Sequence, residues 1–258
     1  MSAILSDTWW LTTRRLKAGM SQPAYVIISL IQPVIWLFLF GNLFRRVVEL
    51  PGFGATSYLD YLVPGVVVMN ALAVNMWAGM VTLEEIERGT LNRFLILPVS
   101  RSAIMNSNVV EQAVNTTFQS VVIVLLGWVA GASYPGGLGG VAVLILAAVL
   151  VGTLFGALSN AIGMLVRQRE SIIGINTFLL LPLTFLSTVF MARELMPGWM
   201  QGISRGNPLD WAVVAGRSAL SVDPDWGVVA SRGSLLLVLA VVAVALSTST
   251  FRAYQKAV

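Results

Sequence analysis

The sequence predicts an all-α polytopic membrane protein, and three observations carry that expectation. Hydrophobic residues make up 57% of the 258 residues and charged ones 11%, with a mean hydropathy of +0.82, which leaves too little polar surface to cover a soluble globule of this size. The apolar residues fall in runs close to the roughly 20 residues that a hydrocarbon core about 30 Å thick requires. The 16 Lys and Arg are scattered near the ends of those runs and form no stripe, so the basicity reads as membrane topology rather than as a nucleic-acid footprint.

Residues 1–22 are expected to form a helix lying in the membrane interface. Leu5, Trp9, Thr12, Leu16 and Met20 share one helical face and Arg14, Arg15 and Lys17 lie off it. That pattern puts tryptophan at headgroup depth and the basic side on anionic lipid. An ordinary soluble amphipathic turn is the competing reading. The first apolar run starts late, is too long for a leader and has no small-residue cleavage site after it, so no cleaved leader is expected. Six spans follow at about residues 25–44, 61–80, 109–130, 141–166, 172–191 and 233–251. With the N-terminus inside, ten Lys and Arg lie on the cytoplasmic side and six outside; the bias predicts both termini in the cytoplasm, with Arg45 and Arg46 running against it.

Residues 81–107, VTLEEIERGTLNRFLILPVSRSAIMNS, interrupt this pattern between the second and third spans. They carry Glu84, Glu85, Glu87, Arg88, Arg93 and Arg101, which makes them a water-facing connector. Ile86, Leu91, Phe94, Leu95 and Leu97 recur at near-helical spacing, predicting a short amphipathic helix after the Gly89-Thr90 break that Pro98 closes. Its apolar face needs lipid headgroups or another protein. Residues 192–227 are too polar to span and too apolar for a loose loop. Leu195, Trp199, Met200 and Ile203 make one short face, Leu209, Trp211, Val213, Val214 and Leu220 another, with Pro197-Gly198 and Asn207-Pro208 as punctuation. They predict two short helices dipping into the outer leaflet under protein cover, or two lying flat at the interface. No repeat or linker divides the chain, so residues 1–258 read as one membrane domain.

Composition also excludes chemistry. Without His or Cys the chain supplies no Ser-His dyad, thiolate nucleophile, haem ligand or ordinary zinc site. It has no phosphate-binding loop, its only lysines being Lys17 and Lys256, and so no recognisable ATP site. The intramembrane polar groups are few. Gln32-Pro33 predicts a kink in the first span. Asn70, Asn75 and, in the third span, Glu111, Gln112, Asn115, Thr116, Gln119 and Ser120 either bond between helices or line a path. Glu111 is expected either near the cytoplasmic boundary, which its place at the start of the span favours, or facing protein, opposite Arg93 or Arg101. Gly152, Gly156 and Asn160, and the pair Gly127 and Gly131, form small-residue faces for close helix contact, within the chain or between two chains.

Together, Glu87-Arg88-Gly89-Thr90-Leu91, Leu97-Pro98-Val99-Ser100-Arg101, Gln32-Pro33 and Asn207-Pro208-Leu209 resemble the permease subunits of type-2 ATP-binding-cassette exporters, the daunorubicin-resistance-like ones above all. Leu97 stands where a Thr is common in such proteins and Asn92 where an acidic residue is common. The resemblance implies six spans, an N-terminal interfacial helix, a cytoplasmic coupling helix in 81–107 and outer re-entrant helices in 192–227. It implies a homodimer in the plasma membrane that carries two separate cytoplasmic ATPase subunits, with ATP and Mg on those partners and no metal or cofactor in this chain. By position, Glu87, Arg88, Gly89, Thr90, Leu91 and Arg93 would engage the ATPase, Pro98 and Arg101 would turn the chain into the third span, and Asn207, Pro208 and Leu209 would close the outer end. Gln32, Asn70, Asn75 and Asn115 are the candidate path or bundle groups. The implied activity is ATP-driven export of an amphipathic drug, antibiotic or lipid-like molecule. Alternatives are export of a cell-surface polysaccharide or teichoic acid, a non-transporting scaffold, or an intramembrane enzyme using Glu111 with Asn115, or Asp210.

Overall fold

In hydrocarbon a backbone must satisfy its own hydrogen bonds, so apolar runs of this kind become helices. The computed structural model describes residues 2–20, 23–50, 57–89 and 101–257, and among them every regular element is helical. The chain runs through α1 (Ser2–Met20), α2 (Pro23–Ile35), α3 (Tyr58–Asn75), α4 (Ala78–Glu87), α5 (Arg101–Val129), α6 (Gly137–Val166), α7 (Arg169–Phe185), α8 (Gly198–Arg205), α9 (Pro208–Leu220) and α10 (Trp226–Ala257). The polytopic helical class predicted from the sequence is therefore the observed one.

Among the described residues, four stretches are long and apolar enough to cross a membrane: Tyr58–Glu87, Asn106–Val129, Gly137–Val166 and Trp226–Ala253. They coincide with the second, third, fourth and sixth expected spans. The other two expected spans form shorter helices. In the first, Pro33 removes a backbone donor inside α2 and the helix loosens to π geometry over Trp36–Phe40 before tightening again over Gly41–Leu43. The fifth was expected over 172–191, but α7 ends at Phe185, three residues after Pro182, and the chain continues without helix through 186–191. Proline near the end of a helix leaves the last turn without one of its bonds, which the sequence pattern alone had read through.

α6 is the hub, touched by α3, α4, α5, α9 and α10. Its small residues let other backbones close on it. A Cβ at Gly163 would strike the Gly79 carbonyl of α4, Gly152 packs on Asn75 and Thr116, and Gly156 on Gln112. The small-residue face of the fourth span is thus consumed inside the chain. α3 is core on nearly every side, from Leu62 to Leu72, whereas α10 leaves Leu235, Leu237, Val238, Val241, Val242 and Leu246 exposed. An exposed face of this composition suits lipid.

The N-terminal helix is present, with Trp9 exposed and Thr12 buried. Its basic side is not all turned to lipid: Arg15 forms an ion pair of 2.8 Å with Glu85 at the end of α4. The reason is local, since α1 packs along α5 and the charged end of α4 lies beside that seam.

Candidate coupling and outer-end sites

At one end of the bundle, α4 carries the first half of the charged connector. Three ion pairs fix its acidic residues: Glu85 to Arg15 of α1, Glu87 to Arg169 at the start of α7, and Glu84 to Arg88 one turn later in the same helix. Arg169 holds the exposed Glu87 carboxylate below its ordinary value, mainly through the hydrogen bond between them. Gly89 then stops the helix. Its φ of +66° is left-handed and its N–H bonds the Ile86 carbonyl at 3.0 Å, the geometry that ends helices at a glycine. Of the expected coupling residues, Glu87, Arg88 and Gly89 are therefore placed at a helix end tied to two other elements. Thr90, Leu91, Arg93 and Pro98, and with them the expected amphipathic helix, lie outside the described residues; Arg101 begins α5.

Inside the bundle, the candidate path groups divide. Asn70 donates to Gln119 at 2.8 Å and Asn75 to Thr116 and to the Ala71 carbonyl, each at 2.8 Å. The bonds to Gln119 and Thr116 join α3 to α5 and are of the kind worth about 0.6 kcal/mol each in membranes; the bond to the Ala71 carbonyl stays within α3. Asn115 is exposed and donates to Glu111 at 2.7 Å. Among the described residues the charged neighbours of Glu111 are Arg15 and Glu85; Arg93 and the side chain of Arg101, expected opposite it, lie outside the described residues. Gln32 lines a cavity of about 70 Å³ between α2, α3 and α7, together with Trp36, Asn70, Thr184 and Phe185.

At the other end, α9 begins with the expected signature. The Asn207 side chain accepts from Leu209 N at 2.9 Å as the N-cap, with Pro208 at the first helical position. The same side chain donates to the Leu183 and Leu186 carbonyls at 2.7 and 3.1 Å, the groups freed where α7 stops. Two residues that the pattern did not assign to this end complete the fastening. Buried Asp210 accepts from Thr188 N and Thr188 Oγ1 at 2.8 and 2.6 Å and pairs with Arg193. Arg217 donates to the carbonyls of Tyr61, Thr188 and Val189 at 3.0, 2.6 and 3.0 Å and stacks over the Tyr61 ring at 3.4 Å. Tyr58 and Tyr61 hydroxyls reach the Phe190 and Thr188 carbonyls. Non-helical backbone at membrane depth is tolerated only when protein satisfies it, and these side chains do so for 186–192. The sequence signal was available: an Asp and an Arg seven residues apart on an otherwise apolar helix have to face protein.

The family model for ABC-2 type transporters matches residues 6–221. The chain belongs to that family. Among its relatives, a daunorubicin resistance ABC transporter permease protein, DrrB1 of Streptomyces coeruleorubidus, is 28% identical over 224 residues, 85% of this chain and 75% of the relative. A putative transport permease, ycf38 of Cyanophora paradoxa, is 31% identical over 74% of this chain and 66% of its own length. The inner membrane transport permease YadH of Escherichia coli K12 is 26% identical over 72% of each. The connector, α4 and the outer-end residues Asn207 to Arg217 all lie within the matched part of this ABC-2 permease.

Proposed function

We propose that the chain is the membrane subunit of an ATP-driven exporter and that it works as a homodimer with a separate cytoplasmic ATPase on each copy. The observation that carries this reading is the end of α4. The helix that leads into the charged connector is stopped by Gly89 and tethered through Glu85 to α1 and through Glu87 to α7, so a push on the connector reaches three elements at once. ATP and Mg bind the partner, which closes on nucleotide and turns the connector. Thr90, Leu91 and Arg93 belong to the same docking segment, and Pro98 and Arg101 turn the chain from it into the third span. The connector and both termini face the cytoplasm, in the plasma membrane.

The seat for the second copy is the face shared by α2 and α7. It exposes Gln32, Gly174 and Thr177 among Ile31, Phe178 and Leu181, whereas over 235–246 the exposed face of α10 is purely apolar; polar groups at membrane depth are stable against protein or a path, not against lipid. The cargo class, an amphipathic drug-like molecule, follows the name of the DrrB1 relative. Asn207, Pro208 and Leu209 hold the outer end closed through the tie between α7 and α9.

Co-purification tests the reading. The native permease should bring down a P-loop ATPase in equal amount, and Glu87→Arg or Arg88→Glu should weaken that complex. Isolation of the permease with no ATPase, under conditions that preserve other membrane complexes, would overturn it. Single cysteines in the connector, straightforward in a chain without native cysteine, should label only from the cytoplasmic side.

A further inference from the structure

The second span is not one helix. α3 ends at Asn75 and α4 starts at Ala78, although no proline or left-handed residue stands between them. The ladder tightens across the break: Trp77 N bonds the Val74 carbonyl at 3.4 Å and Met80 N the Trp77 carbonyl at 3.0 Å. The Met76 carbonyl instead receives side chains from two other helices. One is the Ser159 hydroxyl of α6, which also accepts from Gly79 N at 3.0 Å and so bridges the break. The other is the Asn176 amide of α7, at 2.6 Å. Ser159 and Asn176 are each only 2% exposed, and a buried amide donor of this kind is costly to leave unpaired.

Both halves of the span pack on α6, but their other partners differ. Below the break, α4 is bonded to α6 through Thr82 and Asn160 at 2.7 Å, is in backbone contact with it at Gly79 and Gly163, and is paired to α7 through Glu87 and Arg169. Above the break, α3 bonds to α5 through Asn70 and Asn75 and is fastened to α9 by Arg217. A helix that changes partners at a tightened turn is a place where two rigid parts meet.

We infer that Met76-Trp77 is the pivot of this permease, and that Ser159 and Asn176 are positioning residues: Ser159 hinges α4 on α6, and Asn176 lets α4 carry α7 as one body while α3 stays with α5 and α9. The inference rests on the proposed coupling role of the connector for its consequence, but the pivot itself is a property of the permease alone and is testable without the ATPase.

Hydrogen exchange on the full chain in lipid nanodiscs reads the pivot. Ser159→Ala combined with Asn176→Ala should speed exchange over residues 78–83 by about tenfold, the effect of weakening two buried hydrogen bonds, with exchange over 62–72 unchanged. The milder Ser159→Ala alone should give a smaller change in the same place. Equal acceleration in both stretches, or none in either, would overturn the pivot. The coupling consequence is read in the complex with the ATPase, using spin labels on cysteines at the exposed positions Val81 (α4), Ile173 (α7) and Leu125 (α5). Trapping nucleotide should leave the 81–173 distance fixed and change the 81–125 distance; the Ser159→Ala/Asn176→Ala chain should lose the fixed 81–173 distance. A change in 81–173 in the unaltered chain overturns the one-body inference. Failure of any ATPase to bind, with the exchange pattern as expected, overturns the exporter reading and leaves the pivot standing.

Discussion

Replacing Arg217 with Met tests whether a cation holds the outer end together. The guanidinium serves three carbonyls, but not equally. The Tyr61 carbonyl belongs to helix α3, and the Thr188 carbonyl keeps the Tyr61 hydroxyl at 2.8 Å. Only the Val189 carbonyl depends on Arg217 for its side-chain donor. A buried carbonyl without a donor costs about 1 to 3 kcal/mol, and the lost stacking on Tyr61 about 0.5 to 2 kcal/mol. Asp210 is not stranded by the change, because Arg193 and Thr188 still serve it, so the larger penalty of about 3 to 5 kcal/mol for a bared buried charge does not apply. Relief from desolvating the guanidinium offsets part of the loss, leaving about 2 to 3 kcal/mol. At about 2 to 4 °C per kcal/mol for a chain of this size, thermal unfolding of the purified permease in detergent should shift down by about 5 to 10 °C. Arg217→Lys should recover little, since an ammonium keeps the charge but has neither the planar fork nor the stacking face. An unchanged or raised midpoint for Arg217→Met would mean that packing alone fixes residues 186–192, and the assignment of Arg217 would fall.

Other outcomes follow from single contacts. Glu87 is held below its ordinary value by Arg169, so its contribution is present above the unfolded value and is lost as pH falls through the lower folded value; the thermal midpoint of the native chain should drop more on acidification below about pH 4.5 than that of Arg169→Gln. Gly163→Ala drives a Cβ into the Gly79 carbonyl and should cost about 1 to 3 kcal/mol, read as lower yield and midpoint. Gly174→Ala, with open space around its Cβ, should be neutral or slightly stabilising. Asn207→Ala should cost about 1 to 2 kcal/mol for the cap alone and make the end of α7 more open to hydrogen exchange, because the Leu183 and Leu186 carbonyls lose a donor.

What the sequence made legible was set by period and composition. Four of the six expected spans are recovered as long helices because apolar runs such as 141–166 contain no proline to end the ladder. The Asn207-Pro208 start of α9 is equally local, a cap and an N1 proline that act within three residues. The fifth span was read too long because Met191 lies in an apolar run, and hydropathy does not register where Pro182 ends a ladder. The break at Met76 left less trace: Asn75 and Gly79 are in the sequence, but the donors that stabilise it come from Ser159 and Asn176, 83 and 100 residues away. Arg15 was read as a lipid contact for the same reason, its partner Glu85 being 70 residues distant.

The irregularities are not spread evenly. α5, α6 and α10 run uninterrupted for 29, 30 and 32 residues. The loosened turn of α2 at Trp36–Phe40, the break at Met76 and the early end of α7 fall instead on the three elements that share the small cavity at Gln32, Asn70 and Thr184. On the regular side, any bend has to break ladder bonds that have no replacement in hydrocarbon. On the irregular side two of the three backbones, at Met76 and beyond Phe185, already draw donors from Ser159, Asn176, Asn207, Tyr61 and Arg217, so a second arrangement requires only an exchange of side-chain partners. Movement of this bundle therefore costs least along α2, α7 and the α4 half of the second span, the first two of which present Gln32, Gly174 and Thr177 to the proposed second copy, while α5, α6 and α10 act as the frame against which they move.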